Sequence, residues 1–445
     1  MHTLPQGPSF APLQTFKLAR DAVRFYREAS ERYGDPFTLP MMMGKVVVTG
    51  HPDGIREIFT ADPSIFAPFT QLPLEPVVGR HSILLLEGAH HRRERKLLVP
   101  PFHGDRMRAY GEIMATIARR RAAALTPGAV FRAQHLTQDI SLEIIIEAVF
   151  GIRDPERVAV YREVIGGYLE AYTPPLMVVK PLRRSFGGLG GWARFDRYRQ
   201  RFHALVAEEI ARRRGEPGAG HEDILSLLLS ARDDEGRPMS DEEIDDELRT
   251  MLVAGHETTA IGMAWALDWI HRIARIRERL MNELSPLGPT PAPEALAKLP
   301  YLSAICDEAL RIHPVVAMVS RRLLQPFTLR GIELPAGVGV LAAIAKVHHD
   351  PTIYPEPEVF RPERFLERKF SPFEYLPFGG GARRCLGAAF ALYEMKVVLG
   401  SLLAEHRFAV QGPPPRPVRR NVTIGPEGGA PLLYVGAIRG AIRSS

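Results

Sequence analysis

The chain is poor in sulfur ligands. It has only two cysteines among 445 residues, Cys306 and Cys385, too few for an iron–sulfur cluster or a zinc site built from thiols. No apolar run approaches the about 18–20 residues of a membrane span. The first twenty residues (MHTLPQGPSFAPLQTFKLAR) lack the apolar core of a signal peptide. The expectation is a cytoplasmic protein with free thiols and no membrane anchor. Long Lys/Arg runs and basic–aromatic interleaving are missing, so the net charge of +6 does not point to nucleic acid. No repeat or linker divides the sequence, and 45% hydrophobic with 24% charged residues is ordinary for a globular chain. One body spanning residues 1–445 is expected, without a fused flavin or iron–sulfur module. Two catalytic patterns fail on single residues. His256-Glu257 would need a histidine at 260 to bind zinc, where Ala260 stands. A nucleotide-binding GxGxxG over 379–387 would need glycine where Arg384 stands.

What is present centres on Cys385. The run Phe378-Gly379-Gly380-Gly381-Ala382-Arg383-Arg384-Cys385-Leu386-Gly387 sets this thiol in a glycine-rich loop, ahead of an apolar helical pattern (Ala388, Ala389, Phe390, Leu392, Met395). A lone thiolate with room around it suits axial ligation of a haem iron, where it pushes electron density onto the metal and favours O–O cleavage. To stay deprotonated it needs hydrogen-bond donors and positive potential, which loop N–H groups and a following helix N-terminus supply. Gly379, Gly380, Gly381 and Gly387 allow φ > 0 and close backbone approach. A glycine-rich turn around a structural cysteine would share this composition.

Periodicity makes the remainder mostly helical with small sheets. Helices are expected over residues 16–33, 89–96, 141–149, 192–214 and 222–231, and a hairpin from 37–39 and 46–49. Strands are expected over 315–322, 327–334 and 337–343 and near the C-terminus. Residues 66–88 read as an apolar loop. Residues 172–192, rich in proline and glycine, suit a mobile lid over an apolar cavity and equally an irregular surface loop. Ser240-Asp241-Glu242-Glu243 is a capping box. It opens a helix to about residue 275, roughly 50 Å long. Midway lies Ala254-Gly255-His256-Glu257-Thr258-Thr259, weak helix-forming material costing about 1–2 kcal/mol. Either a functional opening or a kink with hydroxyls bonded to i−4 carbonyls would explain it.

Charged pairs complete the pattern. Glu308 and Arg311 stand one helical turn apart, and Phe360-Arg361-Pro362-Glu363-Arg364-Phe365 follows. His91 and Arg95 share a helix face. In Val319-Ser320-Arg321-Arg322 strand alternation turns only one arginine inward. His348-His349 has no third metal ligand at useful spacing.

Together these segments resemble the cytochrome P450 family, in family order from His91 to Gly387. The resemblance implies a mainly α fold with small β-sheets and a haem (haem b, iron protoporphyrin IX) between the long helix and the cysteine helix. It makes Cys385 the iron ligand, with Phe378, Gly387 and Gly255 shaping the haem site. His91, Arg95, Arg321 and Arg383 become propionate partners. Thr258 and Glu257 become the catalytic proton-handling pair, and Glu308, Arg311 and Arg364 a structural network. Position 349 departs from the family's usual arginine. More narrowly, LLVPPFHGDRMRAYG and FLERKFSPFEYLPFGGGARRC resemble cyanobacterial and myxobacterial members that oxidise long-chain fatty acids, alkanes and terpenoids.

The implied activity is insertion of one oxygen atom of O2 into a C–H bond of a hydrophobic substrate by a monomeric enzyme. Electrons would come from a separate ferredoxin or flavodoxin with its reductase. Arg92, Arg93, Arg95, Arg383 and Arg384 offer a basic docking face, or simply an unpatterned basic surface. The rivals are a peroxide-driven enzyme, a non-oxidative enzyme on the same scaffold, and a haem-binding sensor. Glu257-Thr258 weighs against the first two.

Overall fold

Ser240 Oγ accepts from the Glu243 N–H at 3.1 Å, and the Glu243 carboxylate accepts from the Ser240 N–H at 2.7 Å. This closed box starts a helix over Asp241–Arg272, about 48 Å long at 1.5 Å per residue. Extended backbone at Ile273 (φ −113°) ends it short of residue 275. In the computed structural model, residues 4–41, 44–69, 71–102, 104, 106–185, 187–215, 223–420 and 422–438 are described. The other layers are built around this helix. It packs on the helices Ala133–Ala148, Pro300–Ile312 and Ala388–Glu405. Thr137 Oγ1 donates to the Ala260 carbonyl at 2.8 Å, tying the first of these to the long helix in the dry core.

The larger sheet places its strands in the order Phe37–Met41, Gly44–Thr49, Gly339–Ala342, Val319–Leu323, Phe66–Pro68. Gly44–Thr49 and Gly339–Ala342 run parallel, and the other neighbours are antiparallel. Val46, Val47 and Val48 are buried in succession, as in a strand covered on both faces. Near the C-terminus, Pro417–Arg420 pairs with Thr423–Pro426 in a hairpin whose second strand lies on the long helix. Among the described residues no helix is long and apolar enough to cross a membrane.

Several elements differ from the sequence expectation. Residues 16–33 are not one helix. Ala11–Arg20 and Ala22–Tyr33 meet at Asp21, whose extended backbone stops the first while its carboxylate caps the second through the Arg24 N–H (2.9 Å). Residues 66–88 contain the helix Gln71–Val78 despite Pro73 and Pro76. Tertiary contact overrides local propensity there, with the Tyr172 hydroxyl donating to the Pro73 carbonyl at 2.6 Å and Tyr168 to that of Val77. The 172–192 segment holds a short helix, Pro174–Val178, and a 3-10 turn, Lys180–Leu182, with Leu189 74% exposed. Phe186 lies outside the described residues. The helix expected over 222–231 is seen as Ile224–Ser230, its first residue also lying outside. The helices Arg106–Ala123 and Pro155–Ala171 have no counterpart in the sequence reading.

Candidate functional site

The Cys385 loop is shaped by glycines at its tightest points. Gly379 and Gly381 take φ of +64° and +65°, the left-handed region. A Cβ on Gly381 would come within 2.3 Å of the Phe59 carbonyl oxygen. The loop closes with the Cys385 N–H donating to the Phe378 carbonyl at 3.0 Å. Gly387 differs from expectation. Its φ of −82° is ordinary, and a Cβ there would meet no protein atom within 4 Å. Its backbone conformation and its protein neighbours therefore do not require glycine.

Cys385 is exposed, yet enough protein surrounds it that burial pushes its thiol pKa up. The Gly387 N–H, Arg384 and Arg95 pull the other way, toward the thiolate. That combination describes a thiol on the floor of a cleft, with donors and positive charge ready for the anionic form. Cys306, by contrast, is wholly buried.

Around this thiol the chain gathers basic side chains. His91 and Arg95 come from the helix Gly88–Leu98, Arg321 from the strand Val319–Leu323 and Arg383 from the loop itself. Arg321 is buried and Arg322 exposed, so one arginine of the pair turns inward. Arg321 donates to the Gly380 carbonyl at 3.3 Å, with its guanidinium over the rings of Phe59 and Phe66. Arg383 donates to the Ile83 carbonyl at 3.4 Å and to that of Leu86. Burial and then Arg383 lower the Arg321 pKa to about 10. Burial, followed by Arg383, Arg95, Arg321 and Arg92, lowers His91 to about 4. Glu87 acts on Arg383 without an ion-pair contact. His91, with its lowered pKa, is a neutral imidazole beside three guanidiniums, and among the described residues none of the four side chains forms an ion pair with a carboxylate. Such a cluster is costly in isolation and favourable beside a dianion.

The long helix supplies the second surface. It is continuous through Gly255 and shows no break there. Its side chains are buried over 244–248 and again over 259–268, but Ala254 is exposed and residues 255–258 are half-buried. A core helix that opens only at its middle borders a cleft. A Cβ on Gly255 would meet only Ile145 Cδ1, at 3.4 Å. Thr258 Oγ1 donates to the Ala254 carbonyl at 2.7 Å, the i−4 arrangement. Burial raises the Glu257 carboxyl pKa, against the opposing pull of Arg420 and the Thr423 hydroxyl. These two partners on the C-terminal hairpin have no signal in the sequence that links them to Glu257. His256, lowered to about 4 by burial, is held to the Gln138 backbone on the neighbouring helix.

The helix Pro300–Ile312 carries a closed ion network. Arg311 meets Glu308 with two bonds, at 2.6 and 2.8 Å. Arg364 Nε donates to the same carboxylate at 3.0 Å, as does the Arg361 N–H at 2.8 Å. All three charged side chains are buried. His348 Nε2 accepts from the Leu376 N–H at 3.0 Å, and the His349 ring bonds the Ala345 carbonyl. Among the described residues no group of three or more His, Cys, Asp or Glu side chains could hold a metal ion. The expected basic face is smaller than its sequence suggests. Arg93 is absorbed by Asp233, Glu243 and Glu94, leaving Arg92 and Arg384 exposed.

A lone exposed thiol among guanidiniums without ion pairs, together with a core helix that opens at its middle, fits an iron porphyrin with two carboxylates. The fold and this donor set define a haem-thiolate protein. The family model for cytochrome P450 matches residues 2–430, and the chain belongs to that family. It is 37% identical over 406 residues to the putative cytochrome P450 135B1 of Mycobacterium tuberculosis, covering 90% of this chain and 84% of that protein. It is 33% identical over 439 residues to the putative cytochrome P450 135A1 of the same species, covering 97% and 95%. The solved structure of retinoic acid-bound cyanobacterial CYP120A1 superposes with a TM-score of 0.85 at 25% identity, covering 98% of this chain and all of that one. The protein is thus a P450 monooxygenase that uses haem.

Proposed function

We propose that this enzyme hydroxylates an extended apolar molecule carrying a single carboxylate, of the long-chain fatty acid or terpenoid acid type. One observation carries the site assignment: the exposed thiol of Cys385 is accompanied by three guanidiniums and a neutral imidazole that form no ion pair among the described residues. Cys385 would hold the iron of haem b, and His91, Arg95, Arg321 and Arg383 its propionates. The side-chain-free surfaces of Gly387 and Gly255 leave room for the ring. When bound, the haem supplies oxygen activation, with the thiolate favouring O–O cleavage.

The chain's own residues manage protons and water. The Thr258 hydroxyl, parked on the Ala254 carbonyl, can turn to donate into the cleft. Glu257, with its pKa raised by burial, holds a proton more readily than a surface glutamate. Arg420 and Thr423 orient that carboxyl. The apolar walls exclude bulk water, so protons arrive through these groups rather than at random. The helix Gln71–Val78 packs against the long helix and against Pro174–Val178, and these helices would form part of that wall.

The apolar segments over 66–78, 172–179 and 315–319 support the hydrophobic substrate class, and the retinoic acid in the cyanobacterial relative supports the acid. Electrons would come from a separate acidic ferredoxin or flavodoxin. Arg92 and Arg384 would contribute to its docking. The test is an optical titration of the oxidised holoprotein with a saturated fatty acid, retinoic acid, their methyl esters and a sesquiterpene. A saturable Soret shift with the free acids, weakened for the esters, is expected. A shift with the sesquiterpene alone would replace the acid with a neutral terpenoid.

A further inference from the structure

The segment between the helices Gln71–Val78 and Gly88–Leu98 is held from one side by the long helix and grips the cysteine loop on the other. Asp246 accepts from the His81 N–H at 2.8 Å, and Glu247 accepts from the Ile83 N–H at 2.7 Å. The Ser82 and Thr250 hydroxyls lie 2.7 Å apart. Gly79, at φ +83°, lies so close that a Cβ would come within 1.9 Å of Asp246 Oδ1. Asp246, Glu247, Ser82 and Thr250 are all buried. The far side of the same segment offers the Ile83 and Leu86 carbonyls to Arg383. Ile83 therefore spends its N–H on Glu247 and its carbonyl on Arg383.

We propose that Glu247 is a positioning residue for haem retention, fixing the Ile83–Leu86 carbonyls and through them the Arg383 guanidinium. The inference rests on the reading of Arg383 as a propionate partner. Glu247 never touches the haem in this arrangement; it acts through Ile83. Burial, reinforced by Glu94, Asp246 and Glu243, raises its carboxyl pKa well above the ordinary value. The neutral acid keeps one oxygen for the Ile83 N–H and carries its proton on the other, which has no partner among the described residues. Glutamine reproduces that shape and acceptor, whereas leucine strands a buried N–H.

The test measures haem transfer from holoprotein to excess apomyoglobin, followed in the Soret band. Glu247→Leu should speed haem loss about tenfold, and Glu247→Gln should stay within about twofold of the parent. Arg383→Leu should also speed it. Adding Glu247→Leu to Arg383→Leu should bring little further change, because the two act in series. If Glu247→Leu yields no holoprotein, Thr250→Val removes only the hydroxyl facing Ser82 and should speed loss about twofold. Parent-like loss in Glu247→Leu, or in Thr250→Val when it is the variant used, overturns the proposal. So do effects of Glu247→Leu and Arg383→Leu that simply multiply. Parent-like loss in Arg383→Leu would instead remove the propionate reading on which the proposal stands.

Discussion

Two arginine clusters in this fold are charged in opposite styles. In the Glu308–Arg311–Arg364 network, one buried carboxylate takes bonds from both guanidiniums and a backbone N–H, and backbone carbonyls take the remaining donors. Around Cys385, three guanidiniums press on one another and on the neutral His91 ring, with no ion-paired carboxylate among the described residues. The first cluster is complete without any ligand. The second is complete only when an anion arrives. A buried charge account that closes within the chain marks structure, and one that stays open marks a binding site.

Breaking the closed cluster should have the largest effect. Glu308→Ala leaves two buried guanidiniums unpaired, a loss of about 3–5 kcal/mol. The expected outcome is haem-free or insoluble protein, read from the yield of soluble holoprotein. Normal haem content would mean that the network is not needed to hold the cysteine loop. Opening the second cluster should do the reverse to the polypeptide. Arg321→Leu removes a repelled, buried cation, so the apoprotein should melt no lower than the parent. Haem affinity should fall about tenfold with the loss of a charge-assisted bond. Exposed Arg322 is the control, and Arg322→Leu should leave haem affinity unchanged.

Thr258→Ala should leave haem binding intact and lower product per O2 consumed by about tenfold, since a proton donor in the cleft is lost. Unchanged coupling would favour a peroxide-driven enzyme. The smallest effect concerns acid. His91 titrates near 4 when folded and near the ordinary 6.5 when unfolded. Between those values the unfolded chain binds more protons, so apoprotein stability should fall as pH drops from about 6.5 to about 4. His256, His271 and His349 are lowered to about 4 as well and contribute in the same direction. His91→Gln should therefore flatten this slope without abolishing it, measured by urea unfolding across that range.

The sequence carried the elements whose cause is local. The Ser240–Glu243 box, the inward turn of Arg321 and the glycine geometry of the cysteine loop are all set within a few residues. Family motifs carried the Glu308 network, whose partner Arg364 is distant in sequence. Contacts between remote segments without a motif stayed hidden. Nothing near Glu257 announces Arg420 and Thr423, and nothing near Ile83 announces Glu247. Local periodicity also misled at Asp21, because apolar spacing continues across a cap that breaks the backbone. The helix Gln71–Val78 escaped for the opposite reason: its prolines argue against the helix that Tyr168 and Tyr172 stabilise from outside.

The most direct test of the open cluster is to titrate the apoprotein with haem and, separately, with haem dimethyl ester, whose propionates carry no charge. If His91, Arg95, Arg321 and Arg383 are unpaired because they await the two carboxylates, haem should bind at least about a hundredfold more tightly than its ester. Equal affinity would contradict the account and leave the three guanidiniums and the His91 ring without a ligand.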